Sequence, residues 1–300
     1  MNPREKEASQ SPKTKKIELR GILLVVPTYL WLIVTFLIPV ISVLMLSFAE
    51  LHPVTKNIVS FPTMNNYLTL FTNLDYVVVL LRTLLLTVAV TISSVGLAYA
   101  VAYFITFKIL KNKYTILLAF QAPYIASYMM VLLAWRLLLG RSGVINSLLM
   151  SMGLTSEPIE LLGYNAFSVW LVLTATWFPW LILPIFVSLE KIDRSLLEAS
   201  QDLGASPFTT FLKVTFPLSL PGVFVAILFV FIPTIGEFVA PAVVGGTTGL
   251  MFGNLIYDFF LKGFRWDIGS AFAVCLLCIV ILAVLVLFRK IGFEKLMESL

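Results

Sequence analysis

The chain has 300 residues, 59% of them hydrophobic and only 12% charged, with a formal net charge of +5. Soluble domains carry about 25% charged residues. This composition therefore excludes an ordinary soluble fold and indicates a polytopic membrane protein. The positive charge is spread over short segments and forms no basic aromatic face, which argues against nucleic-acid binding.

Residues 1–20 are charged and polar and lack aromatic side chains, which predicts a disordered tail. The remainder, 21–300, reads as one membrane domain. Six apolar stretches, 22–48, 77–107, 114–138, 165–188, 222–244 and 268–288, are each long enough to cross a hydrocarbon core about 30 Å thick. Each must be helical, because a lone spanning segment has to satisfy its own backbone. The predicted fold class is thus an all-α polytopic membrane protein with six transmembrane helices. The first stretch is too long for a signal-peptide core and lacks a small-residue cleavage site, so it is expected to be retained.

His52, the single histidine, falls in the loop after the first span. The segment "FPTMNNYLTLF" at 61–71 reads as a short interfacial helix, lying on the headgroups or turned toward an external protein. Lys and Arg fix the orientation. Arg4, Lys6, Lys13, Lys15, Lys16 and Arg20 precede span 1. Loop 108–113 adds three more, loop 189–221 three, and the C-terminus three. The opposite side holds Lys56, Arg82, Arg136, Arg141, Lys262 and Arg265. The positive-inside bias places both termini in the cytoplasm.

Loop 189–221 is then the longest cytoplasmic loop between spans. Asp193 is placed to cap a helix through Leu196, Leu197, Glu198 and Leu203, and Gly204 supplies a left-handed stop. Ser206 and Pro207 are an N-cap and first-turn pair for a second helix carrying Phe208, Phe211 and Leu212 and ending before Pro217. Such a hairpin, apolar on one side and charged on the other, is either a connector on the membrane surface or a docking knob for a partner groove.

In span 4, Pro179 and Pro184 bend the helix near Trp177 and Trp180. Glu237 lies in span 5, about fifteen residues, or roughly 22 Å, from its cytoplasmic end. A carboxylate there is expensive and faces a cavity or a partner. Pro233, Gly236 and Pro241 around it predict a kinked or unwound helix. Glu237 either meets a cationic solute, with Trp177, Trp180 and Tyr124 as cation–π faces, or pairs with an Arg of a partner subunit, or sits near the outer interface. Asp258, Lys262, Arg265 and Asp267 fall in the external loop before span 6, either solvated or meeting an external partner. Cys275 and Cys278 have CxxC spacing within an apolar run. Two thiols alone do not complete a four-ligand metal site, so they read as packing residues.

No catalytic or metal-binding residue is expected. The chain has no HExxH, no GxSxG and no GxxxxGK[ST] phosphate loop, so neither an intramembrane hydrolase nor an ATPase is indicated. A stand-alone carrier or channel would share the apolar spans and the buried Glu. It would not need the hairpin, and six spans fall short of many repeat-built carriers.

The run Glu198-Ala199-Ser200, then Gly204, Val214 and Phe216-Pro217 resembles the E-A-A…G…I-x-L-P signature of ABC importer permeases, with its spacing kept and Ser200, Val214 and Phe216 as exchanges. Span 1, with Pro27, Pro39 and "SVLMLSF", resembles the opening helix of type I permeases. "APYIASYMMVLLAWRLLLGRSGVIN", "PTIGEFVAPAVVGG" and "GNLIYDFFLKGFRWDIGSAFA" resemble permeases of spermidine/putrescine importers.

The resemblance implies a type I permease fold in a bacterial cytoplasmic (inner) membrane, with loop 189–221 as a cytoplasmic coupling helix. Glu198, Ala199, Ser200, Asp202, Gly204, Ala205, Pro207, Phe208 and Pro217 would form its ATPase-docking surface. It further implies a partner ATPase dimer that binds ATP and Mg, a second and different permease, and an extracytoplasmic solute-binding protein. The substrate implied is a polyamine or similar cationic amine. Related branches move opines, phosphonates or ferric ion.

Overall fold

The structure, a computed structural model, describes residues 25–125 and 127–291. The predicted tail at 1–20 lies outside the described residues. Long apolar runs form long helices even where prolines lie inside them. Val25–Ser47 (α1), Leu74–Lys108 (α3), Ala166–Glu190 (α7), Pro207–Ile235 (α9) and Trp266–Ile291 (α12) are each long and apolar enough to span a bilayer. The sixth expected span is two helices, Lys113–Gln121 (α4) and Tyr128–Leu138 (α5), bent by 76° across the break around Pro123. Pro123 has no amide to donate, and the α-helix gives way to a tighter turn at Ala122–Tyr124 ahead of the bend.

Shorter elements fill the connections. A two-stranded antiparallel hairpin, β1 (Glu50–Leu51) and β2 (Ile58–Ser60), follows α1. Its loop is organised by His52, whose Nδ1 accepts from the Val54 and Thr55 amides at 3.3 Å each. The expected short helix is present as α2, Asn65–Thr72. Helices α6 (Val144–Ser151), α8 (Arg194–Asp202), α10 (Val239–Val244) and α11 (Phe252–Leu261) complete the set.

The bundle centre is the packing of α3 on α7, with α9 against both. Along α3 the buried positions include Thr83, Thr87, Thr91, Ser94, Ala98 and Ala102, a line of small residues that lets backbones approach. Tyr99 Oη and Ser219 Oγ are 2.9 Å apart, and Trp170 Nε1 donates to Ser93 Oγ at 3.1 Å, tying α3 to α9 and α7. At Gly222, α9 lies directly on the α7 backbone. Helix α1 packs on α12 at the periphery and keeps most of its apolar surface outward.

Two prolines in spans are handled identically. Pro39 and Pro217 each lie two residues after a wide π turn, Ile33–Leu37 and Phe211–Thr215, and each occupies the first turn of the α-helix that resumes. A proline inside a regular helix removes one bond and clashes with the carbonyl four residues back. A wide turn ahead of it relieves both. The expectation that the hairpin's second helix stops before Pro217 is therefore corrected: α9 runs from the hairpin into the span without interruption.

Asp267 also departs from expectation. It is fully buried in the first turn of α12, bound by Arg265 Nε and Nη2 at 3.0 Å each and by the Leu51 amide at 3.1 Å. It is thus neither a solvated loop residue nor free to meet an external partner. It ties the β-hairpin to α12. Asp258 and Lys262 remain exposed and pair at 2.7 Å. Cys275 is half-buried against the α11–α12 cluster and Cys278 is exposed.

Candidate functional site: the hairpin and the membrane cavity

The hairpin forms as its sequence dictates. Asp193 Oδ1 accepts from the Ser195 amide at 2.9 Å and starts α8. That bond to the backbone amide holds the Asp193 carboxyl below the usual carboxylate range. Helix α8 ends in a Schellman motif: the Gly204 amide donates to the Gln201 carbonyl at 2.8 Å and the Ala205 amide to the Ser200 carbonyl at 3.1 Å. Gly204 has φ +83°, and a Cβ there would meet nothing within 4 Å. The glycine is required by backbone conformation, not by crowding. Ser206 Oγ accepts from the Thr209 amide at 3.2 Å and starts α9 at Pro207. Ser200 Oγ and Thr210 Oγ1, 3.0 Å apart, tie the two helices across the turn.

The result is a rigid knuckle with an uncovered apolar surface. Leu203 is 89% exposed and Phe208 70%, with Leu196 and Leu212 about half exposed. Glu198, Ala199 and Asp202 are exposed beside them, and Ala205 is half-buried at the turn. Phe211, expected on the same apolar side, turns inward instead. It packs edge-on against Tyr99 and Tyr103 at 5.8 Å each and beside Phe216 at 6.1 Å, at the base of the hairpin. Sequence reasoning missed this aromatic base because Tyr99 and Tyr103 come from α3, over a hundred positions away.

The four expected pathway residues converge on one cavity. A volume of ≈ 380 Å³ is lined by Tyr124, Tyr128, Val131, Thr176, Trp177, Trp180, Pro233 and Glu237. Tyr128, Val131, Thr176 and Pro233 are additions to the expected set. The available signal was the helical spacing Thr176–Trp180 and the i,i+4 pair Tyr124–Tyr128, which spans the α4–α5 break.

Glu237 is not inside a continuous span 5, since α9 ends at Ile235 and α10 starts at Val239. The carboxylate Oε1 accepts from the Val239 amide at 2.8 Å and the Ala240 amide at 3.1 Å. This break is propped from outside. Gly253 of α11 packs against the backbone at Gly236 and Glu237, Asn254 Nδ2 donates to the Phe238 carbonyl at 2.7 Å, and Arg136 Nη1 donates to the Val243 carbonyl at 3.0 Å. Trp177 and Pro233 also border a second, apolar cavity of ≈ 430 Å³ lined by Val225, Leu228, Phe229 and Ile232.

A helical bundle with an uncovered apolar knuckle at one end of a long rod and a carboxylate-bearing cavity at the other defines a class. The chain belongs to the family of binding-protein-dependent transport system inner membrane components, whose model matches residues 21–292. It is a multi-pass permease subunit of a binding-protein-dependent ABC importer. The spermidine/putrescine transport system permease protein PotB of Haemophilus influenzae is 34% identical over 262 residues, covering 86% of this chain and 90% of that protein. The inner membrane ABC transporter permease protein YdcU of Escherichia coli is 33% identical over 281 residues, 89% of this chain and 88% of that protein. The fold matches a solved bacterial ABC transporter involved in import of the acidic polysaccharide alginate, with a TM-score of 0.75 at 18% identity over 93% of this chain and 97% of that one. The fold is the type I importer permease fold.

Proposed function

We propose that this permease carries a polyamine or a similar small cationic amine into the cytoplasm by alternating access, driven by ATP hydrolysis on a separate ATPase dimer. The reading rests chiefly on one observation: a membrane cavity whose lining combines one carboxylate, Glu237, with four aromatic residues, Tyr124, Tyr128, Trp177 and Trp180. Aromatic faces and a carboxylate both favour a cation. The solved neighbour that moves an acidic polysaccharide shares the fold at 18% identity, so the fold alone does not set the substrate. The names of the polyamine relatives lend the same support.

In this reading Glu198, Ala199, Ser200, Asp202, Gly204, Ala205, Pro207 and Phe208 form the surface that enters the ATPase, and Pro217 opens the rod that carries its motion. The termini are cytoplasmic, the second permease is a different chain, and a solute-binding protein delivers substrate from outside. ATP and Mg sit on the ATPase.

The test is to purify the tagged chain with its native neighbours and follow labelled putrescine into proteoliposomes. A nucleotide-binding subunit should co-purify, and Glu198→Arg should release it. Uptake that proceeds without any such subunit, or wild-type retention of the subunit by the variant, refutes the docking role. Absence of amine uptake by the complete importer refutes the substrate.

A further inference from the structure

The cavity contains polar atoms that the protein leaves unpaired. The Tyr128 hydroxyl is buried and faces the Glu237 carboxylate at the margin of hydrogen-bond geometry, without a second partner among the described residues. Glu237 divides its two oxygens: both backbone amides go to Oε1. Oε1 is thus occupied with holding the chain break, and neither amide engages Oε2. Buried polar groups are normally paired, and each exception calls for a reason.

Resting on the amine reading above, we propose that Tyr128 is a specificity-determining residue, and that it and Glu237 Oε2 together hold a single ammonium head through its N–H bonds. A tyrosine oxygen accepts one N–H while its own proton goes to the carboxylate. The walls of Trp177, Trp180 and Tyr124 meet the same charge with their faces. Among the described residues, Glu237 is the only acidic side chain lining the cavity. This chain's side of the site therefore neutralises one positive charge, not two. A linear diamine passes head first, with its second ammonium outside this cavity. A box made of aromatic faces alone would accept a quaternary ammonium as well as a primary one. A site built on N–H acceptors rejects it, because a quaternary nitrogen has no proton to give and leaves the buried groups unpaired.

The test uses the assembled importer and the variant Tyr128→Phe. Tyr128→Phe keeps the ring in the cavity wall and removes only the hydroxyl that faces Glu237. Binding is read from tryptophan emission during titration with methylammonium and, separately, tetramethylammonium. The wild type should prefer methylammonium by roughly tenfold or more, and Tyr128→Phe should bring that ratio close to one. Uptake of labelled putrescine by the variant should fall by roughly tenfold. A wild type that prefers tetramethylammonium, or a Tyr128→Phe importer with unchanged ratio and uptake, overturns the assignment. Either result leaves amine transport itself standing, because wild-type putrescine uptake reports on that separately. Failure of the wild type to take up any amine overturns both.

Discussion

Replacing Gly222 by Ala sets two effects of opposite sign against each other. Within a helix, alanine is better than glycine by about 1 kcal/mol, so a solvent-facing exchange would stabilise. Here α9 crosses α7 at contact distance. A Cβ on Gly222 would stand 2.5 Å from the Pro184 carbonyl oxygen, 2.5 Å from Ser188 Cβ and 3.2 Å from Ile185 Cα. Non-bonded atoms are comfortable at about 3.5–4.0 Å. Two of these three obstacles are backbone atoms, which cannot rotate away. The helices must therefore separate locally by about 1 Å, which also stretches the 3.3 Å bond from the Gly222 amide to Ser188 Oγ. Overpacking of this kind costs about 1–3 kcal/mol, so it outweighs the helical gain by about 1 kcal/mol. The assay is unfolding of the detergent-solubilised protein by increasing SDS, followed by circular dichroism. Gly222→Ala should unfold at lower SDS, and Gly222→Leu lower still. A midpoint equal to or above wild type for Gly222→Ala would show that the helices are not in contact there, and the account of the α7–α9 packing would fail.

Other substitutions probe the knuckle and the outer face. Gly204→Trp should abolish transport and coupled ATP hydrolysis while membrane insertion stays intact, because the backbone at φ +83° disfavours any side chain and an indole would stand in the docking surface. Normal stimulation of ATP hydrolysis in that variant would rule out the lever role. Asp267→Ala strands the Leu51 amide and frees the Arg265 guanidinium, which is 30% exposed and so partly re-solvated; the cost is then about 1–3 kcal/mol. Limited proteolysis from the outer side should then cut within residues 50–60 much faster than in wild type. Unchanged protection would mean that the β-hairpin is held by something else.

The knuckle was legible because it is built from local rules. Asp193 and Ser206 accept from amides two and three positions on, the Gly204 amide donates to a carbonyl three positions back, and such rules are written in the order of residues. The gathering of Glu237, Trp177, Trp180 and Tyr124 was legible for a different reason: a carboxylate and clustered aromatics in apolar runs need a common explanation. Three features were hidden. Asp267 finds its amide partner at Leu51, 216 positions earlier, and no spacing rule reaches that far. Phe211 looked like a surface residue of the hairpin because its partners Tyr99 and Tyr103 belong to another helix. Pro217 reads as a stop because the proline rule assumes an α-helix, and the wide turn ahead of it suspends that assumption. The break at Gly236–Phe238 was half visible. Pro233 and Gly236 announced it, while the props from Gly253, Asn254 and Arg136 did not show.

The wide turn at Phe211–Thr215 has a consequence for how the head and the shaft of α9 are phased. A wide turn takes up about one residue more than an ordinary α turn, so it absorbs that residue without rotating the head against the shaft. Deleting one residue there would let the turn close to an ordinary one, and the apolar tip would keep its bearing while Pro217 fell inside a regular helix. The same deletion in the regular shaft would swing the tip by about 100°.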